Sequence, residues 1–204
     1  MLESFQAGGP VMYPILVCSI VALAVLLERM WSLRRSAIVP YGFCVEILAL
    51  LRAGRWDDAL VACRKRPAAI ARVVEAAIEA RRYGRTRISE RVEEAGRREA
   101  AEMERFVPVL ATIATVSPLF GLLGTVGGII LTFRAIGEGG MGDMNKVGAG
   151  ISVALNTTFF GIAVSIPAVI GEKFVLARVD RLTLDLEEVA SEALDLLAEP
   201  EKTL

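Results

Sequence analysis

The sequence predicts an all-α, polytopic membrane protein with three transmembrane helices, of which the second and third extend into the cytoplasm. Three observations support this fold class. Of the 204 residues, 54% are apolar and the mean hydropathy is +0.51, which is too hydrophobic for a soluble domain. Only 6% are aromatic, which is typical of packed helices and not of a β-barrel. The apolar residues form three uncharged stretches, 11–27, 106–133 and 147–171.

The three uncharged stretches are long enough to cross a bilayer. They hold 17, 28 and 25 residues, whereas a helix needs about 20 to cross about 30 Å of hydrocarbon. The first is near the lower limit, and we expect Tyr13 and Trp31 to anchor it at the interfaces. No basic leader or cleavage site precedes it, so we expect it to remain in the mature protein. We expect the other two to tilt or to project beyond the lipid.

Basic residues predict the orientation of the spans. They follow the first and the third span, as Arg29, Arg34, Arg35, Lys173, Arg178 and Arg181. Cytoplasmic flanks carry the excess of Lys and Arg, so residues 1–10 are expected outside and the C-terminus inside. Residues 134–146 then form a short, glycine-rich hairpin outside the membrane.

The connection 28–105 and the tail 172–204 are expected to be cytoplasmic and helical. Apolar residues recur at helical spacing in both. We expect breaks at four residues, Pro40, Gly54, Pro67 and Gly84. Asp57 and Ser89 are the predicted N-caps after two of these breaks. Since no breaker stands between Ser89 and Pro108, we expect one very long helix that ends in the second span. The amphipathic tail is expected either to be solvated or to pack against partner subunits.

Small and hydroxyl-bearing residues line one face of the second and of the third span, which leaves two interpretations open. The first is close helix packing through small residues, for which the candidates are Pro118, Gly121, Gly124, Gly128, Gly161 and Pro167. The second is an ion path, in which hydroxyl and amide groups replace water, with the candidates Thr125, Thr158, Thr157, Asn156 and Ser165.

The residue types that are missing exclude several functions. The spans contain no carboxylate, ammonium or guanidinium group, and the chain has no histidine. A proton path would therefore need a titratable group from a partner. His-ligated zinc and Ser-His-Asp hydrolysis are excluded, and we predict no enzyme, no metal site and no cofactor. The net charge of −1 gives no reason to expect nucleic acid. Cys18, Cys44 and Cys63 share no CxxC spacing and are expected to be small buried hydrophobes.

The second span carries the sequence Ser117-Pro118-Leu119-Phe120-Gly121-Leu122-Leu123-Gly124-Thr125-Val126, followed by Gly128. The third contributes Thr158, Gly161 and Ile166-Pro167-Ala168. With these two segments the chain resembles the ExbB/TolQ/MotA family of proton-channel subunits. One position departs from ExbB and TolQ, because Val153 stands where those proteins usually have glutamate. Val153-Ala154-Leu155 is more similar to the MotA branch.

The resemblance implies a ring of five copies around two single-span subunits of the ExbD/TolR/MotB type. In that family an aspartate of the inner subunit carries the proton, and threonines of the outer subunits line its path. The matching positions here are Thr125 and Thr158. The implied location is the bacterial inner membrane, with a periplasmic N-terminus, and the implied task is TonB-type transport, envelope maintenance or motility. A TonB-like, TolA-like or motility protein is a further expected partner.

Without the family resemblance, the residues are also compatible with two other functions. A membrane scaffold could use the long cytoplasmic helix to gather other proteins. A small-solute carrier could use the Thr- and Asn-lined helix interface, although three unequal spans show no inverted repeat.

Overall fold

The computed structural model describes residues 8–139 and 144–198. Within these ranges the chain is helical and contains no strand, so the all-α prediction is confirmed. The helices are α1 Met12–Ser32, α2 Arg35–Ile38, α3 Tyr41–Arg52, α4 Trp56–Lys65, α5 Ala69–Ala80, α6 Arg85–Glu104, α7 Val107–Gly139 and α8 Met144–Ala198. A short 3₁₀ turn, Arg81–Tyr83, joins α5 to α6.

Three helical segments, Met12–Ser32, Arg85–Gly137 and Met144–Ala198, are long and apolar enough to cross a membrane, which confirms the prediction of three candidate spans. Each helix extends beyond its predicted stretch. The helices also take in residues 134–139 and 144–146, which were expected to belong to the hairpin. Residues 1–7 of the predicted N-terminal segment, the hairpin tip 140–143 and the end of the tail, 199–204, lie outside the described residues.

The chain forms two compact units, each with its own packing. The first, the membrane unit, consists of the described residues up to Glu28 together with Phe106–Val175. The second, the loop unit, consists of Arg29–Arg105 and the described residues from Leu176 onward. Helix α8 contributes to both units because it continues through Val175 without a break.

The loop unit is built around an apolar core to which the tail part of α8 contributes. Helix α5 buries most of its length because its apolar residues are three and four positions apart. The fully buried core side chains include Ile47, Leu51, Ile70, Val73, Val74, Ile88 and Leu186. The apolar face of the tail is therefore covered by helices of its own chain. Neither of the two arrangements expected for the tail, solvated or packed on a partner, describes this face.

Ion pairs accompany the packing of the tail on the loop helices. Arg35 Nε lies 2.8 Å from Asp185 Oδ2, Arg85 pairs with Asp195 at 3.0 Å, and Arg52 pairs with Glu192. These arginines are mostly exposed, so each pair contributes at most about 1 kcal/mol. The apolar core is therefore the larger source of stability.

The breaks between the loop helices occur where they were expected, but two predicted N-caps are wrong. Asp57 lies in the first turn of α4, whose N-cap is Arg55. Ser89 lies inside α6, because Gly84 adopts φ +88° and the helix starts directly after it. Glycine tolerates this left-handed conformation, so the chain can reverse there and begin the helix five residues earlier than predicted.

The long helix expected to lead into the second span is present as Arg85–Gly137, but a two-residue turn interrupts it. Helix α6 ends at Glu104 and α7 begins at Val107. Pro108 has no N–H to donate to the carbonyl of Glu104, so one hydrogen bond of the helical series is missing at this point. Residues 105–106 form a turn in its place.

Arg29 satisfies carbonyl groups at the C-terminal end of α6. Its side chain is only 5% exposed, and Nη1 donates to the carbonyl oxygens of Glu102 at 3.2 Å and Met103 at 3.3 Å. A cation in this position also interacts favourably with the negative end of the helix dipole. The guanidinium therefore stabilises the helix end that the break creates.

Two cysteines of the loop unit are buried, as predicted. Burial raises the pKa of Cys44, and it raises that of Cys63 to about 12, with the nearby Glu75 adding to the shift of Cys63. Both groups are therefore neutral thiols near neutral pH, which suits small core residues and not reactive nucleophiles. Cys18 of α1 is partly buried.

A hydroxyl pair between two membrane-spanning helices

Helices α7 and α8 approach each other through glycine. A Cβ atom built on Gly161 would lie 2.7 Å from the carbonyl oxygen of Ser117 and 3.0 Å from Cα of Gly121. A Cβ atom on Gly128 would lie 2.6 Å from the carbonyl oxygen of Gly150. The two backbones are thus nearly in contact, as in other membrane helix pairs with small residues at the interface.

Thr157 lies inside this packed contact. Its side chain is fully buried and occupies the space left by Gly124, where any added Cβ would overlap it. Its hydroxyl donates to carbonyl oxygens of its own helix, at 2.9 Å to Val153 and 3.0 Å to Ala154. The structure therefore places this candidate ion-path residue in the helix contact.

Thr125 and Thr158 are brought together across the same interface. Their Oγ1 atoms are hydrogen-bonded to each other, and either can be the donor. Thr158 also donates to the carbonyl of Gly121 at 3.2 Å, and Thr125 to the carbonyl of Ala154 at 3.3 Å. Each hydroxyl thus reaches the backbone of the opposite helix. We call Thr125 and Thr158 the hydroxyl pair.

The hydroxyl pair has more acceptors within reach than protons to donate. Each threonine carries one proton, while the carbonyls of Gly121 and Ala154 and the two hydroxyl oxygens all accept. Several bonding arrangements are therefore possible, and both side chains remain partly exposed. A carboxyl group that arrives at the open side can exchange hydrogen bonds with the pair. The hydroxyls do not ionise near neutral pH, so they can orient a titrating group but cannot replace it.

Ser165, a further candidate of the ion-path interpretation, is buried where α8 contacts α7. Its buried hydroxyl donates to the carbonyl oxygen of Ala114 at 2.6 Å. In a regular helix this carbonyl would accept the N–H of residue 118, but Pro118 has none. Ser165 of α8 therefore supplies the donor that Pro118 removes from α7.

We expect the cost of Ser165→Ala to depend on Pro118. In the natural background the substitution leaves the Ala114 carbonyl without a donor and should cost about 1 kcal/mol of unfolding free energy. In a Pro118→Ala background the restored N–H bonds this carbonyl, so the same substitution should cost much less. Thermal unfolding of the four proteins in detergent measures the coupling between the two sites.

Thr115→Ala is the matched control for this cycle. Its hydroxyl also donates to a carbonyl of α7, that of Ala111 at 3.0 Å, but Ala111 keeps its helical N–H donor. We expect its cost to be small and independent of Pro118. Equal costs of Ser165→Ala in both backgrounds would contradict the assigned role.

The remaining candidates lie apart from the hydroxyl pair. The side-chain amide of Asn156 donates to Ser152 Oγ of its own helix at 3.2 Å. Pro167 lines a cavity of about 180 Å³ within the membrane unit, together with residues of α1, among them Ser19. The sequence interpretation missed the backbone acceptors Ala114 and Ala154. Pro118 was the signal for the first, since a proline in a helix always frees one carbonyl.

One buried hydroxyl stands out on α7. Ser117 is fully buried, and its Oγ has no hydrogen-bond partner among the residues that the structure describes. It belongs to the same helix face as Gly121. It is thus part of the packed interface and not of the open side of the hydroxyl pair.

Comparison with known proteins identifies one family. The profile described as the MotA/TolQ/ExbB proton channel family matches residues 65–188, which include the hydroxyl pair. A putative biopolymer transport protein ExbB-like 1 of Synechocystis is 34% identical over 173 residues, which cover 83% of this chain and 68% of the relative.

Two further relatives match over a shorter region. The biopolymer transport protein ExbB of Aquifex aeolicus is 38% identical over 91 residues, covering 45% of this chain and 62% of the relative. The Tol-Pal system protein TolQ of Haemophilus influenzae is 40% identical over 88 residues, covering 43% and 39%. The chain thus spans less than two thirds of the length of these two relatives.

Proposed function

This chain belongs to the MotA/TolQ/ExbB proton channel family, and we propose that it is the outer-ring subunit of a motor driven by proton-motive force. Several copies, five by the family resemblance, surround a single-span subunit of the ExbD/TolR/MotB type. The complex lies in the bacterial inner membrane, with the N-terminus of this chain in the periplasm and its tail in the cytoplasm. The role is mechanical and not enzymatic.

The hydrogen-bonded hydroxyl pair is the main structural support for this proposal. It lies in a unit whose spans contain no carboxylate, ammonium or guanidinium group, so the chain cannot bind and release a proton there by itself. Two partly exposed hydroxyls that are hydrogen-bonded to each other are suited to receive a carboxyl group from a partner. The proton then travels on the partner's aspartate, and the threonines orient it.

Both protonation states of an aspartate can bond to the hydroxyl pair. The ionised carboxylate accepts hydrogen bonds from the two hydroxyls, and the neutral acid donates one proton and accepts another bond. The carboxylate form gains more, because hydrogen bonds to a charged group are stronger. The position beside Thr125 and Thr158 therefore favours release of the proton. Movement of the aspartate away from the pair favours its uptake.

The energy of proton flow is sufficient for such a step. One proton that crosses about 100 mV releases roughly 2.3 kcal/mol. Each unit of pH difference adds about 1.4 kcal/mol. This is comparable to the free energy of one or two charge-assisted hydrogen bonds, about 1.5–3 kcal/mol each. A few protons can thus exchange the contacts of the hydroxyl pair and move one part of the complex against the other.

We place TonB-type transport and Tol-type envelope maintenance before motility as the energised process. The relatives named above are biopolymer transport and Tol-Pal proteins. Val153, which stands at the position of the usual glutamate, is instead a feature shared with the MotA branch. Isolation of the complex from cells would identify the proteins that it energises.

Proton flux into vesicles tests the proposal directly. The chain is reconstituted alone and together with the single-span protein that copurifies with it, and a potassium diffusion potential drives the protons. We expect flux only when both proteins are present and its loss when the partner's intramembrane aspartate is changed to asparagine. Equal flux from this chain alone would contradict the need for a partner's acid. Solute uptake by this chain alone would favour the carrier, and a complex without flux would favour the scaffold.

A further inference from the structure

The side-chain amide of Asn156 lies on the side of α8 that is turned away from α7. Two residues that contact α7, Ala154 and Thr158, are each two positions from Asn156 in the chain. Two positions correspond to about 200° around a helix. Asn156 belongs to the uncharged stretch 147–171, so in an isolated chain this side of α8 would meet the lipid.

Two hydrogen-bonding groups of this amide are not used within the part of the chain that the structure describes. One N–H of Asn156 donates to Ser152 Oγ at 3.2 Å, whereas its second N–H and its Oδ1 have no bond there. Acyl chains offer neither donor nor acceptor, so burial of these groups in lipid is unfavourable. Amide side chains in spans commonly bond to another helix instead. A second protein surface is therefore the favoured neighbour of Asn156.

The side of α7 that is turned away from α8 carries a notch at the same depth. Thr125 is hydrogen-bonded to the residues two positions before and two positions after Asn156, so Thr125 and Asn156 are level. Leu123 and Gly127 lie two positions from Thr125, which is about 3 Å along the axis and about 200° around the helix. Leu123 is 57% exposed, and nothing lies within 4 Å of the position that a Cβ of Gly127 would occupy.

The notch at Gly127 offers the groups that the amide lacks. In an α-helix the carbonyl of Leu123 points toward the N–H of Gly127, and no Cβ covers it there. The helical bond uses one lone pair of this carbonyl oxygen, so the other can accept the free N–H of Asn156. A Cα–H of Gly127 can give Oδ1 a weak hydrogen bond, as at other close helix contacts.

We propose that Asn156 of one copy of this chain packs into the Gly127 notch of the next copy. The two surfaces lie on opposite sides of the α7–α8 pair, so one chain cannot join them by itself. A contact between unlike surfaces repeats from copy to copy and can close into a ring. Rotation about an axis along the membrane normal keeps every residue at its depth, and the amide and the notch meet this condition because they are level.

A second copy fits this surface better than the single-span partner does. The partner's aspartate is expected at the hydroxyl pair, and Thr158 of that pair lies about 200° around α8 from Asn156. The inference rests on the ring in the proposed function, since it assigns the contact between its copies, but it does not depend on proton conduction.

Oxidation of cysteine pairs tests the contact in membranes that contain the full chain. Cys44 and Cys63 are buried, so a Cys18→Ala background leaves no accessible native thiol. Asn156→Cys and Leu123→Cys are introduced into the same chain and oxidised with copper phenanthroline. We expect a ladder of cross-linked species that ends at the complete ring, because each copy is linked to the next. Either substitution alone should leave the chains unlinked.

A second cysteine pair keeps the proposed contact intact. Phe159→Cys with Leu119→Cys lies about one helical turn away on the same two sides, and both natural side chains are exposed. Because Asn156 and Gly127 remain in place, this pair should give the ladder even if loss of the amide weakens the contact.

A neighbouring position on α8 provides the matched control. Leu155 is also exposed, but it lies about 100° around the helix from Asn156. Leu155→Cys with Leu123→Cys should therefore give little cross-linking.

The amide itself is tested by Asn156→Ala without added cysteines. We expect the apparent association constant of the copies in detergent to fall by about three-fold or more, which is the average contribution of a hydrogen bond between membrane helices. Thr115→Ala, which removes a hydroxyl bonded within α7, should leave the association unchanged.

Three results would overturn the proposed contact. The first is efficient cross-linking of Asn156→Cys to itself, which would mean that like surfaces meet. The second is an equal yield from the Leu155→Cys pair. The third is the absence of a ladder from both cysteine pairs while the mass of the purified complex still shows several copies, so that the ring stands and its contact lies elsewhere. A monomer would refute the ring of the proposed function as well.

Discussion

Removing both hydroxyls of the pair, by Thr125→Ala together with Thr158→Ala, is expected to abolish most of the proton flux while leaving the complex assembled. A hydrogen bond to a charged group is worth about 1.5–3 kcal/mol, so the loss of one donor corresponds to roughly 10- to 100-fold in rate. The two substitutions need not be additive, because the hydroxyls bond to each other. Assembly should persist because alanine is small and keeps the close approach of α7 and α8.

The hydroxyl itself is tested by conservative variants. Thr125→Ser with Thr158→Ser should retain flux, whereas Thr115→Ala, which removes an exposed hydroxyl bonded within α7, should have no effect on it. Thr125→Leu should be worse than Thr125→Ala, because it adds bulk to the small face as well as removing the hydroxyl. Normal flux from the double alanine variant would refute the lining role, and better tolerance of leucine than of alanine would refute the small-face packing of Thr125.

The second large effect is expected from a single methyl group at Gly161. The Cβ of Gly161→Ala would lie 2.7 Å from the carbonyl oxygen of Ser117 and 3.0 Å from Cα of Gly121. Both are backbone atoms, so the clash cannot be relieved by a change of rotamer. The helices must separate, and overpacking of this kind costs about 1–3 kcal/mol. Separation would also break the hydroxyl pair, so flux should be lost together with stability.

Gly148→Ala is the matched control on the same helix. Nothing lies within 4 Å of the position that its Cβ would occupy, and alanine is a better helix former than glycine. We expect this variant to unfold at the same temperature as the natural protein in detergent or slightly above it. If Gly161→Ala unfolded at the temperature of Gly148→Ala, the close contact at Gly161 would be wrong. The two predictions also differ in kind, since the threonine variants should lose flux alone.

The face of small residues on the third span shows how much of the helix contact could be predicted from the sequence. The three- and four-residue spacing correctly grouped Thr158, Gly161 and Ser165 on the side that meets α7. It did not separate them by task. Thr158 is partly exposed and hydrogen-bonded to Thr125, Ser165 supplies the donor missing at Pro118, and the neighbouring Thr157 is buried against Gly124. The periodicity of a sequence predicts on which face of its helix a residue lies. It does not predict which residue of the other helix it contacts, because that depends on the register between the two helices.

The helix ends show the same limit. Pro40, Gly54, Pro67 and Gly84 were recognised as breaks because proline and glycine change the backbone locally. Pro108 was recognised as a breaker, but the end of α6 before it was missed. The capping of that end by Arg29, more than seventy positions earlier, could not be read from a local pattern.

The amino-acid sequence by itself determined that the chain is helical, that three stretches can cross a membrane, and that no carboxylate, ammonium or guanidinium group lies within them. These properties follow from composition and local spacing, which act within a few helical turns. Only the tertiary structure decided that Thr125 contacts Thr158, that Ser165 donates to the carbonyl of Ala114 left free by Pro118, and that the tail covers the core of the loop unit. These contacts join residues far apart in the chain, and the register in which glycine lets two backbones approach selects which of them form.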